Sequence, residues 1–231
     1  PAEDLNEAQE LAKLLDDPFL LAYEAIGRAF ALANDEPEKA RRLLEQAVEY
    51  GRLLGKVNVE AEGMRHLAGH LAQTNQMEEA KRTAAQLRDL AFRKGGAEEQ
   101  TAALFISAFV QSDVAYMRDF YDQTLEMNRI FNNKRISHLV ANNMSLLLWT
   151  LGLYGRALSL ANLAVENAHL LNERYDISNA FDGVGRAYLD KGMLAEAREA
   201  FENGLSMIAQ DEFFVVEGIH HVGLGHVALA E

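Results

Sequence analysis

No cysteine occurs in the 231 residues. Disulfides, thiolate metal centres and a cysteine nucleophile are thereby excluded. Proline is almost as scarce, at positions 1, 18 and 37 only. Asp17-Pro18 and Glu36-Pro37 read as helix starts, where a missing N–H costs nothing, and no proline interrupts a helical pattern. Long apolar runs are also missing. Stretches such as Met144–Trp149 fall well short of the roughly 18 residues that a membrane-spanning helix needs. Strand signals are few, with Phe213–Val216 the single candidate. Positive charge is in deficit: 22 Lys and Arg against 35 Asp and Glu leave a net −13. A segment so acidic is poorly suited to direct nucleic-acid binding, which needs clustered Lys and Arg. It fits a soluble, cytoplasmic module with no membrane partner. What remains is an all-α fold.

What the chain does have is a pattern of small residues at fixed intervals. Gly185, Ala197 and Gly204 are separated by 12 and 7 positions, and Ser145, Ala157 and Ala164 repeat those gaps. Ala68, Ala80 and Leu87 follow the same spacing. Gly27, Ala40 and Ala47 add one residue to the first gap, and Ser107, Met117 and Thr124 shorten it by two. With Gly225 as a sixth anchor, the interval between anchors is about 40 residues, a period typical of repeat architectures. Apolar residues flank each anchor at offsets −4, −1 and +3, as in Tyr23, Ile26 and Phe30, or Phe181, Val184 and Tyr188. Such offsets form one helical stripe. Two antiparallel helices approach closely where one side is small and a large residue opposite fills the gap. Gly or Asn in the connectors, as in Leu53–Val57 and Leu170–Arg174, acts as a helix stop.

This arrangement resembles the tetratricopeptide repeat (TPR). Gly185, Tyr188, Ala197, Phe201 and Gly204 match its small–Tyr–Ala–Phe–small signature, and the likeness weakens over residues 100–131. The long period is similar to that of the sensor repeats of MalT-type transcription regulators and related signalling ATPases. The resemblance implies a right-handed α-solenoid with a repeat of about 40 residues. It forms a single array over 1–231. Residues 1–17 then read as the second helix of a preceding repeat, with Leu5, Ala8, Leu11, Ala12 and Leu15 on one face. Full repeats follow at 18–58, 59–96, 97–135, 136–174 and 175–212. Residues 213–231 read as a further first helix, too apolar for the polar cap expected at an array end. Either the protein continues or this helix mediates self-association.

The resemblance further implies that first helices line a concave groove, with exposed positions at offsets −6, −3, +1, +4 and +5. It assigns groove contacts to Glu24, Arg28, Arg65, Leu104, Leu139, Asn142, Leu146, Trp149, Asn179, Asp182 and Arg186. The arginines suit acidic groups, and Asn142 and Asn179 suit an extended backbone. Trp149, the single tryptophan, suits either an anchor or simple packing against the next repeat. The paired Lys and Asn of the chaperone-tail carboxylate clamp are missing. The occupant is a protein segment or a small effector, in the sensor part of a bacterial signalling regulator; a plain interaction scaffold is the alternative.

Other chemistries are poorly supported. Gly223-x-Gly225-x-x-Ala228 matches a dinucleotide fingerprint, but Gly225 already belongs to the repeat register, and the fingerprint needs a strand, a turn and a helix. His66 and His70, and the group His220, His221 and His226, are better read as packing or rim histidines than as metal ligands. No nucleophile motif or cleft carboxylate pair stands out. No catalytic residue, metal or cofactor is assigned.

Overall fold

A computed structural model describes residues 10–11, 14, 17–208 and 214–231. Most of the helix expected over 1–17, and Phe213, lie outside that set. The described residues form helices and no strand: α1 Pro18–Leu32, α2 Pro37–Leu54, α3 Val57–Gln73, α4 Met77–Lys94, α5 Ala97–Phe109, α6 Val114–Phe131, α7 Lys134–Thr150, α8 Tyr154–Leu171, α9 Arg174–Asp190, α10 Leu194–Met207 and α11 Phe214–Ala230. Residues 214–216, read above as part of a strand candidate, open α11 instead. Two compact units are present, Pro1–Met127 and Asn128–Glu231. Each is a TPR-like stack of α-helices packed in consecutive pairs.

Local chemistry sets the helix ends. Asp17 accepts from the Phe19 N–H at 2.9 Å, with Pro18 opening α1 behind it. Backbone with positive φ appears at Asn75, Gly152 and Gly192, in the turns inside a helix pair, and at Gly55, Asn132 and Asn172, between pairs. Only Gly, and to a lesser degree Asn, enters this region cheaply. The shorter anchor interval of the third pair comes from α5, which ends at Phe109, and not from a shorter turn; the α5–α6 connection has no positive-φ residue, and Asp113 caps α6 by accepting from the Ala115 N–H at 2.8 Å.

The small residues do the packing expected of them, in places with no tolerance at all. A Cβ on Gly185 would lie 2.5 Å from the Phe201 ring, and one on Gly223 would lie 2.5 Å from the same ring. Phe201, fully buried, is thus held between glycines of α9 and α11. A Cβ on Gly204 would meet the His220 ring at 2.2 Å. Gly225, the expected anchor of α11, is exposed, and a Cβ there would touch nothing. Gly223, two residues earlier, has the packing role. Ala68, Ala80, Ala157 and Ala197 are fully buried, whereas Gly27 is half-buried.

Polar groups brace the same contacts. Ser145 Oγ donates to the Ala157 carbonyl at 2.9 Å, from an anchor to the residue 12 further on. Seven residues before two anchors, His138 Nδ1 donates to the Ala164 carbonyl at 3.0 Å and Ser178 Oγ to the Gly204 carbonyl at 2.9 Å. A side chain that satisfies a helix carbonyl in this way ties the pair together where burial would otherwise penalise it.

Successive first helices touch within a unit: α1 with α3, α3 with α5, α7 with α9, and α9 with α11. Among the described residues, the second helices α2 and α4, or α8 and α10, do not meet by backbone. Long side chains reach across between α2 and α4 instead, as in Arg41 to Glu79 at 2.7 Å. The first helices therefore form the tighter side of each unit.

Candidate functional site

In the first unit, the stripe over α1 and α3 is charged and closed. Glu24 and Arg28, one turn apart on α1, pair at 3.4 Å. Arg65 grips Glu62 at both carboxylate oxygens, at 2.6 and 3.1 Å. His66 Nε2 stands 3.0 Å from Glu62 Oε1 and 2.6 Å from Arg65 Nη2. Burial alone would raise the Glu62 carboxyl, but hydrogen bonds from His66 and Arg65 prevail and hold it at about 2. Burial lowers His66 below the usual imidazole value; Glu62 opposes that shift and the Arg65 charge adds to it. Phe30 lies edge-on to the His66 ring, centroids 4.6 Å apart. The Tyr23 hydroxyl is pushed up, first by burial and then by Glu62 and Glu98.

Leu104 corrects the sequence reading. Its side chain is 2 % exposed, so it is core rather than groove lining. Thr101 and Ala108, at other expected groove positions of α5, are buried as well. Residues 103–108 of α5 are all buried. A helix apolar all round is buried all round, and the run Ala102–Phe109, whose polar content is one serine, carried that signal.

In the second unit, α7 and α9 present two neighbouring stripes: Leu139, Asn142, Leu146 and Trp149 on one, Asn179, Asp182, Arg186 and Asp190 on the other. They meet at Trp149. Its indole N–H donates to Asp190, and the Arg186 guanidinium lies over the ring at 5.4 Å from the centroid. Arg186 Nε also donates to Asp182 Oδ2 at 2.7 Å. Trp149 is thus half-buried and engaged by α9 on a face and at its N–H, combining the packing role and the groove position.

The rest of this surface has unused hydrogen-bonding capacity. Asn142 and Asp182 are each only 7 % exposed, and Oδ1 of both is buried without a partner among the described residues. Asn142 and the half-buried Asn179 make no side-chain hydrogen bond within that set. Such groups are costly when left unmet, which makes them more informative than exposed ones. Leu139 and Leu146 are half-buried beside them. Sequence reasoning selected these positions but placed Asn142 and Asp182 on an exposed surface; they are recessed.

The histidines divide by role. His70 Nε2 donates to the Pro37 carbonyl at 2.9 Å, so it does not face a common point with His66. His220 is fully buried and placed 3.0 Å from Ser178 Oγ and 3.1 Å from the Ser178 carbonyl. Since Ser178 Oγ commits its own proton to Gly204, His220 Nε2 is the donor and Nδ1 keeps an unmatched lone pair. Burial lowers His220, against the pull of the Asp182 carboxylate. His221 and His226 are exposed. Gly223 and Gly225 lie inside α11, so no strand-to-helix turn is present for a dinucleotide.

No family model and no curated protein matches the sequence. Solved structures do match the fold. BtubC (BKLC) from P. vanneervenii is 16 % identical, with a TM-score of 0.62 over 94 % of this chain and 84 % of that one. A Signal Transduction ATPase with Numerous Domains (STAND) from Pyrococcus horikoshii, with a tetratricopeptide repeat sensor, is 15 % identical, with a TM-score of 0.70 over 96 % of this chain. The match spans 34 % of the STAND protein. Nearly identical TPR-like repeats from Podosopora anserina, described as a putative kinesin light chain, are 17 % identical, with a TM-score of 0.57 over 82 % of this chain and 95 % of that one. The likeness is one of architecture. Among the described residues no helix is long and apolar enough to cross a membrane.

Proposed function

We propose that this chain is a non-catalytic binding module whose first helices hold an extended segment of a partner protein. The observation that carries the reading is the idle polar set of the second unit. Asn142, Asn179 and Asp182 Oδ1 lack partners among the described residues, while Leu139, Leu146 and Trp149 offer apolar contact beside them. An extended backbone supplies alternating N–H and C=O groups that such amides can satisfy. Glu24, Arg28 and Arg65 belong to the reading of the first unit taken by itself, as charged contacts for side chains of a bound segment. The division into five helix pairs between flanking half-repeats belongs to this reading too. The long repeat and the match to a STAND protein with a repeat sensor favour a role as the sensor or interaction part of a bacterial signalling regulator. The likeness to the repeats described as a kinesin light chain favours a second reading, a plain scaffold with no effector.

Panning a displayed library of short random peptides against the full chain tests the binding reading. Enrichment is expected with the unaltered protein. It should weaken by about 2 kcal/mol on Trp149→Ala, the cost of truncating a buried aromatic anchor. A library that yields no enriched sequence, or the same sequences with Trp149→Ala and Leu146→Ser, rejects the reading.

A further inference from the structure

We infer that the segment held on α7 and α9 presents a lysine ammonium to Asn142, Asn179 and Asp182. This rests on the binding reading above and adds the chemical class of the occupant. The recess is short of donors. Two oxygens on adjacent helices, Asn142 Oδ1 and Asp182 Oδ1, are buried with nothing among the described residues donating to them. The Asn179 amide oxygen, with no hydrogen bond of its own, is a third acceptor three residues before Asp182 on the same helix.

The charges point the same way. Asp182 and Asp190 bring two negative charges to this surface. Arg186 brings one positive charge, already committed to Asp182 Oδ2 and the face of Trp149. Asp190 is engaged by the indole N–H. Among these three groups one negative charge is in excess, and the unmatched acceptor atom is on Asp182, whose carboxylate also acts on the buried His220. A monocation balances it; an anion or a neutral apolar group does not.

Ammonium fits better than guanidinium. Planar guanidinium reads a carboxylate through both oxygens, and Arg186 already occupies one oxygen of Asp182. An ammonium is compact, with three donors that point apart, and three acceptors are on offer. Its four-carbon stem suits Leu139 and Leu146. A turn of the Asn142 amide breaks no hydrogen bond, because the amide makes none among the described residues.

The test uses the peptides that the full chain enriches from the random library. The expected result is a lysine common to them. Conversion of that lysine to acetyl-lysine should weaken binding about tenfold or more, followed by Trp149 fluorescence, as for the loss of a charge pair at a desolvated site. Asp182→Asn, nearly identical in shape, should remove the preference for lysine over acetyl-lysine while leaving the melting temperature and circular dichroism in place. Enriched peptides without lysine, equal binding of acetyl-lysine, or an unchanged preference in Asp182→Asn overturns the inference and leaves the binding reading intact. Absence of any enrichment rejects both. Displacement of the peptide by n-butylammonium at the peptide's own dissociation constant would identify a free amine as the ligand and overturn the assignment to a side chain. A crystal structure in which Asn142 Nδ2 donates to Asp182 Oδ1 would close the recess on itself and overturn the inference as well.

Discussion

Glu24–Arg28 in the first unit and Asp182–Arg186 in the second occupy the same two places in the repeat, three residues before the small anchor and one after it. Both are ion pairs one helical turn apart. Their surroundings differ. In the first unit the next first helix adds Glu62, Arg65 and His66, with the Glu62 carboxylate accepting from both of the others. In the second, the neighbouring helix adds Asn142, which satisfies nothing, and Asp182 keeps a bare oxygen. One repeat geometry therefore supports a closed electrostatic cluster in one unit and unmatched buried oxygens in the other. A closed cluster contributes to stability, whereas buried oxygens left unmatched cost it.

Three measurements bear on this contrast. The largest effect is expected in the core of the second unit. Phe201→Ala removes the ring held between Gly185 and Gly223 and should cost about 3–5 kcal/mol in chemical denaturation, as for other buried aromatic truncations. A loss under about 1 kcal/mol would mean that the packing of the second unit around Gly185 and Gly223 is loose.

Next comes the closed cluster. Glu62→Gln removes the shared acceptor and should cost on the order of 1 kcal/mol, discounted because the side chain is partly exposed. The pH dependence is the sharper readout. A Glu62 carboxyl held at about 2, against an unfolded value near 4.5, contributes stability that is fully present above about pH 4.5. That contribution is lost as the pH falls toward 2. His66 and His220, both lowered from 6.5, likewise favour the fold above that unfolded value and less below it. Glu62→Gln should flatten the acid limb below pH 4.5. An acid limb of unchanged slope would show that the first cluster is no more closed than the second.

The smallest effect has the opposite sign. Asn142→Leu replaces a buried amide with an unmatched oxygen by an apolar side chain of similar size. It should be neutral or stabilise by about 1 kcal/mol, read as an upward shift in the denaturation midpoint, while peptide enrichment falls. Destabilisation of about 1 kcal/mol or more would show that Asn142 already has a structural partner, and the open half of the contrast would be lost.

Much of the frame was legible because packing leaves a one-dimensional trace. The interval from Gly185 to Ala197, the turn at Gly192 and the stops at Gly55 and Asn172 all reflect backbone needs that only certain residues meet. Leu104 shows where that reading failed. Its register number placed it in a groove, but the residues around it on α5 are apolar on every side. Gly225 failed for a related reason. Register selected it, yet the contact that requires a glycine is made by Gly223 against Phe201, a residue of the preceding helix.

The sequence by itself determined the all-α character, the helix pairing and the long, even repeat period, because these follow from local spacing and from which residues can enter a turn. Only the tertiary structure decided which polar side chains are satisfied. Asn142 and Arg65 stand at the same register position, three residues before an anchor. Arg65 finds Glu62 one turn away on its own helix, a match that local spacing records, whereas a partner for Asn142 would have to come from another helix, and no local pattern records which atoms meet there.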